Sequence, residues 1–290
     1  MTVTSIPKSI YGIIGFPLEH SLSPVMHNTA FKELGVDAEY KLFPLKEEEL
    51  GDFFSGLHES DSPIFGLNVT VPYKETVLPY LDSLSPFALK VNAVNTIVIA
   101  PGRKLVGYNT DGPGFLAHLT ELGFQTQGKR IAILGAGGTT RAIVAVLCLL
   151  PERPARITIY NRTREKLDEL LEDLKKRIDI RIVAAVDSVD DLNIELADLL
   201  INTTSLGMKS GDPSPVAEEM LHKGLLVYDV IYNPSETKLL KLAKKNGAAV
   251  SNGLGMLFYQ GVLAFQHWSE MLLDSHTRLK MKESLEKAMR

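Results

Sequence analysis

What most limits the folds open to this chain is an alternation: short β-rich runs and amphipathic helical stretches follow one another along nearly its whole length. That order is the pattern of α/β architecture, in which crossover helices cover a largely parallel sheet. The runs fall into two sets. In the first, residues 10–15, 38–43, 64–70 and 95–99 read as strands, with helices over 24–34 and 46–58. In the second, 130–134, 156–160, 180–184, 197–202, 225–230 and 248–250 read as strands, with helices over 140–150, 164–177 and 237–246.

A length of 290 residues favours two domains at roughly 100–200 residues each. The boundary falls near Asp111-Gly-Pro-Gly114, where turn formers precede a helical pattern, and a second crossing falls near Ser251-Asn-Gly-Leu-Gly255. The expected division is therefore 1–113, an inserted domain over 114–251, and C-terminal helices over 252–290 that pack back on the first domain. The apolar pattern 256–268 has no strand after it, which is why it is expected to return, and 277–290 reads as a solvated terminal helix.

Charge and cysteine usage exclude several function classes. Lys plus Arg (31) nearly balance Asp plus Glu (35), so no broad field draws the chain to nucleic acid or an anionic membrane. The longest apolar runs, 142–150 and 255–265, fall short of the ~20 residues of a membrane span, and the first residues lack the charged and apolar regions of a signal peptide. A cytoplasmic location is expected. The single cysteine, Cys148, lies in an apolar stretch and reads as a buried thiol, and the seven histidines form no ligand-spaced cluster, so no metal site is expected.

Two regions carry chemistry. In Ile131-Ala-Ile-Leu-Gly-Ala-Gly-Gly-Thr-Thr140, glycines follow a short apolar strand and open a helix, the setting in which backbone amides and a helix N-terminus approach a pyrophosphate. Gly135 suits the tight turn, and Gly137 and Gly138 keep side chains away from the phosphates; the strict pattern has a third glycine where Thr140 stands. A glycine turn alone can mark any strand-to-helix connection. The next strand, however, ends in Tyr160-Asn-Arg-Thr-Arg-Glu-Lys166. An acidic residue there would bond the 2′-hydroxyl of NAD, whereas Arg162 presents a donor fork to a 2′-phosphate, with Thr163 and Lys166 beside it. Arg164 points elsewhere on the helix and reads as a surface residue. These features favour NADP on a doubly wound, Rossmann-type domain.

The N-terminal region carries more polar groups than a structural half needs. Gly15-Phe-Pro-Leu-Glu-His-Ser-Leu-Ser-Pro24 sets Ser21 and Ser23 in a loop, where Ser23 before Pro24 also reads as a helix N-cap. Gly66-Leu-Asn-Val-Thr-Val-Pro-Tyr-Lys74 puts Asn68 and Thr70 on one face of a strand end and Lys74 at the expected start of a helix, whose dipole would suit the amine to proton transfer. Asn95 and Asp111 join them, although Asp111 also reads as a helix cap. A lysine, a carboxylate and several hydroxyl and amide groups beside a nicotinamide cofactor indicate oxidation of a polyhydroxylated substrate.

Ser21-Leu-Ser-Pro24, Asn68-Val-Thr-Val-Pro-Tyr-Lys74, Ala93-Val-Asn-Thr96, Asn109-Thr-Asp-Gly112, Gly135-Ala-Gly-Gly138, Asn161-Arg-Thr163, Asn202-Thr-Thr-Ser-Leu-Gly-Met208 and Gly253-Leu-Gly-Met-Leu257 together resemble the motifs of shikimate dehydrogenases, in that family's order. The resemblance spans about residues 10–272 and departs where Thr203 stands for the usual Ala. It implies an N-terminal substrate domain that holds shikimate through Ser21, Ser23, Asn68, Thr70, Asn95, Tyr232 and Gln260, with Lys74 and Asp111 as the catalytic pair. It implies an NADP site at Gly135, Ala136, Gly137, Gly138, Thr139, Asn161, Arg162, Thr163 and Lys166, joined by Val230 and Gly253 near the nicotinamide. The implied reaction is reversible reduction of 3-dehydroshikimate by NADPH in aromatic amino-acid biosynthesis, by a monomer or homodimer. The rival reading is an NAD-using quinate/shikimate dehydrogenase, against which Arg162 argues. A non-catalytic module of the same fold would lack Lys74 or Asp111, and both are present.

Overall fold

The computed structural model describes residues 8–289. It divides into two compact units: one ends at Thr110 and resumes at Gln260, and the other is Asp111–Tyr259.

The first unit runs β1 (Ser9–Gly15), α1 (Ser23–Glu33), β2 (Ala38–Pro44), α2 (Leu50–Leu57), β3 (Ile64–Val69), β4 (Ser83–Leu84), α3 (Pro86–Val91), β5 (Thr96–Ala100) and β6 (Lys104–Tyr108). Its sheet has the order β2-β1-β3-β5-β6-β4. β1 pairs parallel with β2 and β3, while β3–β5 and β5–β6 are antiparallel. The sheet is thus mixed, and β4 and β6 add to the four strands expected from sequence. The reason is local: β5 and β6 are joined by a tight turn through Pro101–Arg103, and a hairpin needs no crossover helix to announce it. Leu50, Phe54 and Leu57 of α2, at helical spacing, pack on Ile14, Leu67, Val69 and Ile97 of the sheet. Each such side chain contributes about 1.5–3 kcal/mol when buried.

The second unit runs α4 (Asp111–Glu121), β7 (Arg130–Leu134), α5 (Gly138–Leu149), β8 (Arg156–Tyr160), α6 (Arg164–Lys175), β9 (Val183–Val186), β10 (Leu199–Asn202), β11 (Leu226–Asp229), α7 (Lys238–Lys245) and β12 (Ala249–Ser251). Its strands lie in the order β12-β11-β10-β7-β8-β9, every pair parallel. This is the doubly wound topology. α5 is buried from Thr140 to Cys148, which explains its nearly unbroken apolar sequence, and burial pushes the Cys148 thiol up to about 12, an inert thiol at neutral pH.

The last two helices are α8 (Leu254–Ser269) and α9 (Ser275–Ala288). From Gln260 onward they belong to the first unit. Trp268 Nε1 donates to the Ile97 carbonyl at 3.0 Å, Phe265 lies 5.3 Å from the Phe31 ring, and α9 packs along α1. Asp274 caps α9, accepting from Thr277 N at 2.7 Å.

In each sheet the strand order reverses beside the first strand. β1 is followed by β2 on one side, and the chain returns to lay β3 on the other; β7 is followed by β8 on one side, and β10 returns to the other. Crevices beyond the strand C-termini at such reversals are where open α/β sheets take ligands. The sequence motifs at 15–24, 66–74 and 135–139 all follow those strand ends.

Candidate active site

In the first unit, the loops after β1 and β3 are tied to each other. Phe16 N donates to the Val71 carbonyl at 3.1 Å and Thr70 N to the Ile14 carbonyl at 2.9 Å. Beyond them the chain runs into a turn, so Lys74 stands in that turn and a 3₁₀ segment begins only at Leu78. The expectation of a lysine at a helix start is corrected, and with it the dipole argument. The Lys74 backbone carbonyl accepts from Val94 N at 2.7 Å. That bond joins the Asn68–Lys74 segment to the Ala93–Thr96 segment.

Behind these loops lies a buried amide and hydroxyl network. Tyr40 Oη donates to Asn68 Oδ1 at 2.7 Å, and Asn68 Nδ2 donates to the Asn95 carbonyl at 3.1 Å and to Thr96 Oγ1 at 3.2 Å. Asn95 Oδ1 accepts from Thr110 N at 2.7 Å, and Asn95 Nδ2 donates to Thr110 Oγ1 at 2.9 Å and to Gln260 Oε1 at 3.4 Å. Asn68, Asn95 and Gln260 were expected from sequence; Tyr40, Thr96 and Thr110, which orient them, were not. Their signal is faint, a hydroxyl on the inward face of an apolar strand or next to an amide. Ser23 is 3% exposed and lies inside α1, whose cap position is Leu22 with no side-chain bond, so the N-cap reading of Ser23 is corrected. Ser21 Oγ accepts from Ser23 N at 3.4 Å.

His27 in α1 stacks on Tyr40, ring centroids 4.5 Å apart, and neither ring nitrogen has a hydrogen-bond partner among the described residues. Burial alone pulls its pKa down to about 3. It is a neutral packing element of the core.

In the second unit, the glycine turn follows β7. Gly135 has φ +109°, and a Cβ there would collide with Thr203, so no other residue fits this turn. Gly137 is exposed, a Cβ on it would meet nothing within 4 Å, and α5 begins with no side-chain cap. The first amides of α5 thus face open space unclaimed by the protein's own side chains, the arrangement an anionic pyrophosphate fits. Ala136, Gly138 and Thr139 line the same turn, all half-buried. The departure at Thr140 has a physical reason: its Oγ1 reaches the Gly135 carbonyl at 3.0 Å and Thr203 Oγ1 at 2.7 Å, and Thr203 Oγ1 donates to the Leu134 carbonyl at 2.7 Å. A hydroxyl bridge takes the place of the bare third glycine.

Beyond β8, Arg162, Thr163 and Lys166 are exposed. Among the described residues neither Arg162 nor Lys166 has an ion pair, and Thr163, at the cap position of α6, makes no side-chain cap bond. Arg164 by contrast pairs with Asp168 at 2.8 Å and with Asp187, which matches its reading as a surface residue. Asn161 Nδ2 donates to the Thr163 carbonyl at 2.7 Å and shapes the loop. Free guanidinium, ammonium and hydroxyl groups at one strand end fit a 2′-phosphate.

A second buried network supports the ends of β10 and β11. Asp229 accepts from Asn202 Nδ2 at 3.0 Å, Ile231 N at 3.1 Å and Thr237 Oγ1 at 2.7 Å, yet burial still lifts its carboxyl to about 6. Val230 and Gly253 come together: a Cβ on Gly253 would overlap the Val230 carbonyl, and Gly253 N donates to the Ile231 carbonyl at 3.1 Å. Only glycine permits that approach. Tyr232 is half-buried in the same loop, and Asp111, 5% exposed, is the first residue of α4. No group of carboxylates, histidines and cysteine among the described residues is placed to hold a metal ion, and no helix among them is long and apolar enough to cross a membrane.

Two family models match the chain: a shikimate dehydrogenase substrate-binding domain over residues 13–97 and a shikimate/quinate 5-dehydrogenase domain over residues 118–209. A shikimate dehydrogenase (NADP(+)) of Geobacillus kaustophilus is 44% identical over 287 residues, covering 98% of this chain and 99% of the relative. Among solved structures, a shikimate dehydrogenase in complex with NADP+ superposes with a TM-score of 0.86 at 36% identity, covering 98% of this chain and 96% of the other. A shikimate 5-dehydrogenase of Thermus thermophilus, in complex with NADP(H) and shikimate, gives 0.82 at 33% identity, covering 97% and 99%.

Proposed function

The chain belongs to the shikimate dehydrogenase family, and from that premise we propose that it catalyses the reversible reduction of 3-dehydroshikimate to shikimate with NADPH. The observations that carry the reading within this chain are an amide- and hydroxyl-lined strand end in the first unit and, in the second, a glycine turn and an Arg162 that has no ion pair among the described residues. The first suits a small polyhydroxylated acid and the second a 2′-phosphorylated dinucleotide.

Residues 1–113, with the helices of 252–290, form the substrate domain, and 114–251 form the cofactor domain. NADPH, when bound, supplies the hydride. Gly135 to Thr139 and the first amides of α5 hold its pyrophosphate, Arg162, Thr163 and Lys166 hold its 2′-phosphate, and Asn161 shapes that loop. Val230 and Gly253 contact the nicotinamide end by backbone and packing. Ser21, Ser23, Asn68, Thr70, Asn95, Tyr232 and Gln260 hold the hydroxyls and carboxylate of shikimate.

Reduction adds a hydride to the substrate ketone carbon and a proton to its oxygen. Lys74 is the group that gives the proton to the forming alkoxide and takes it back in the reverse direction, with Asp111 as the carboxylate of the pair. Its backbone anchor at Val94 ties Lys74 to the segment that carries Asn95, so that substrate orientation and proton transfer depend on the same part of the chain.

Mixing the protein with NADPH and 3-dehydroshikimate tests the reading. NADPH is consumed and shikimate accumulates one for one; NADPH consumption without shikimate, or no consumption, contradicts it.

A further inference from the structure

His118 is buried in α4, and its Nδ1 shares a hydrogen bond of 2.7 Å with the hydroxyl of Tyr228, which is fully buried in β11. Asp111 is the first residue of the same helix. At 3.6 residues per turn, Asp111, Phe115 and His118 stand on one face of α4, and all three are buried. Phe115 meets the Tyr228 ring edge to face, with centroids 5.1 Å apart. Tyr228 therefore holds the face of α4 that carries Asp111 at two points: by ring packing one turn in, and by a directional bond two turns in. A packed ring can rock against its neighbour, whereas a short hydrogen bond between buried groups fixes both distance and direction. The Nε2 edge of the same imidazole bears on the start of α8, where a Cβ on Gly255 would overlap it. Gly255 stands two positions after Gly253, whose close approach to the Val230 carbonyl lies at the end of the strand that carries Tyr228.

We propose that His118 is a positioning residue for the reaction: its bond to Tyr228, with its Nε2 edge against Gly255, sets where α4 presents Asp111 relative to the Val230 and Gly253 strand end that takes the nicotinamide. The proposal rests on the reading of Asp111 as the carboxylate of the catalytic pair. Substrate and cofactor are held by other residues, so the bond acts on the rate of the chemical step and leaves affinity alone. A displacement of about 1 Å at a reacting group can cost about 100-fold in rate, and loss of a bond two turns along the helix from Asp111 costs part of that.

The test is a double-variant cycle read in single turnovers of NADP+ reduction at saturating shikimate. Tyr228→Phe keeps the ring and its contact with Phe115 and removes only the hydroxyl. It slows the single-turnover rate about tenfold and leaves KM for shikimate and for NADP+ within about threefold. Asp111→Asn alone slows the rate about 100-fold. Tyr228→Phe added to it slows the rate by less than about twofold more, because a bond that acts through Asp111 then has nothing left to position. His118→Leu behaves as Tyr228→Phe does, whereas His118→Asn, whose amide stands where Nδ1 stood, keeps the rate within about threefold of wild type. A tenfold loss that persists on the Asp111→Asn background overturns the proposal. So does a wild-type rate in Tyr228→Phe, a loss confined to KM, or a His118→Asn as slow as His118→Leu. Should Tyr228→Phe fail to fold, as judged by its melting curve, His118→Leu takes its place in the cycle. If Asp111→Asn turns over at the wild-type rate, the assignment of Asp111 falls and this proposal with it. A wild type that does not reduce NADP+ with shikimate at all overturns the functional reading as well as this one, and is told apart from the other outcomes by that absence.

Discussion

At the scale of single residues, groups that do chemistry are distinct from groups that hold them. Lys74→Ala lowers kcat by about 10²–10⁴ with a modest change in KM, the range of positioned acid–base catalysis; steady-state kinetics in both directions check this, and a rise in KM at unchanged kcat would make Lys74 a binding residue. Arg162→Ala raises KM for NADP+ by about 10- to 100-fold, the equivalent of a charge-assisted hydrogen bond, and leaves KM for NAD+ unchanged, because among the described residues its guanidinium has no ion pair to lose. His27 yields a pH prediction. Its pKa is depressed from 6.5 to about 3 in the folded protein, so the unfolded chain binds the proton first. The stability tied to a neutral His27 is fully present above pH 6.5 and is lost as pH falls toward about 3, by at most ~1.4 kcal/mol per pH unit. Urea unfolding of wild type and His27→Phe across that window shows a shallower slope for the variant; parallel slopes would contradict it.

At the scale of elements, the glycine turn shows where sequence reading reaches and where it stops. The strand, the turn and the helix of 131–149 are all legible, because burial on both sides makes the runs apolar and φ +109° at Gly135 demands glycine. The role of Thr140 is not legible, because it depends on Thr203, 63 positions away in sequence. Thr140→Gly restores the strict pattern yet costs about 1–3 kcal/mol of stability by removing a buried hydroxyl bridge from a helix start, and Thr203→Ala costs less on that background than in the wild type, where it breaks the bridge as well as its bond to the Leu134 carbonyl; chemical denaturation of the single and double variants checks the coupling. The same limit explains the two corrections in the first unit. Ser23 before Pro24 and Lys74 after Pro72-Tyr73 both look like helix starts locally, but α1 begins one residue earlier than a Ser23 cap requires, and the turn at Lys74 is held by Val94 on a different segment. β6 escaped because a hairpin partner needs no helix of its own.

At the scale of the whole molecule, each unit has its own sheet, and in each the motif residues follow strand ends where the strand order reverses. The near balance of 31 basic and 35 acidic residues fits this, since a dinucleotide phosphate needs a few placed cations and no broad field. Substrate and cofactor chemistry are therefore assigned to separate sets of residues, and each set makes its own demand on specificity. Initial rates with shikimate or quinate, each with NADP+ or NAD+, test this assignment most directly. Shikimate with NADP+ is expected to give a kcat/KM at least about tenfold above every other pairing; equal rates with NAD+, or a preference for quinate, would contradict it.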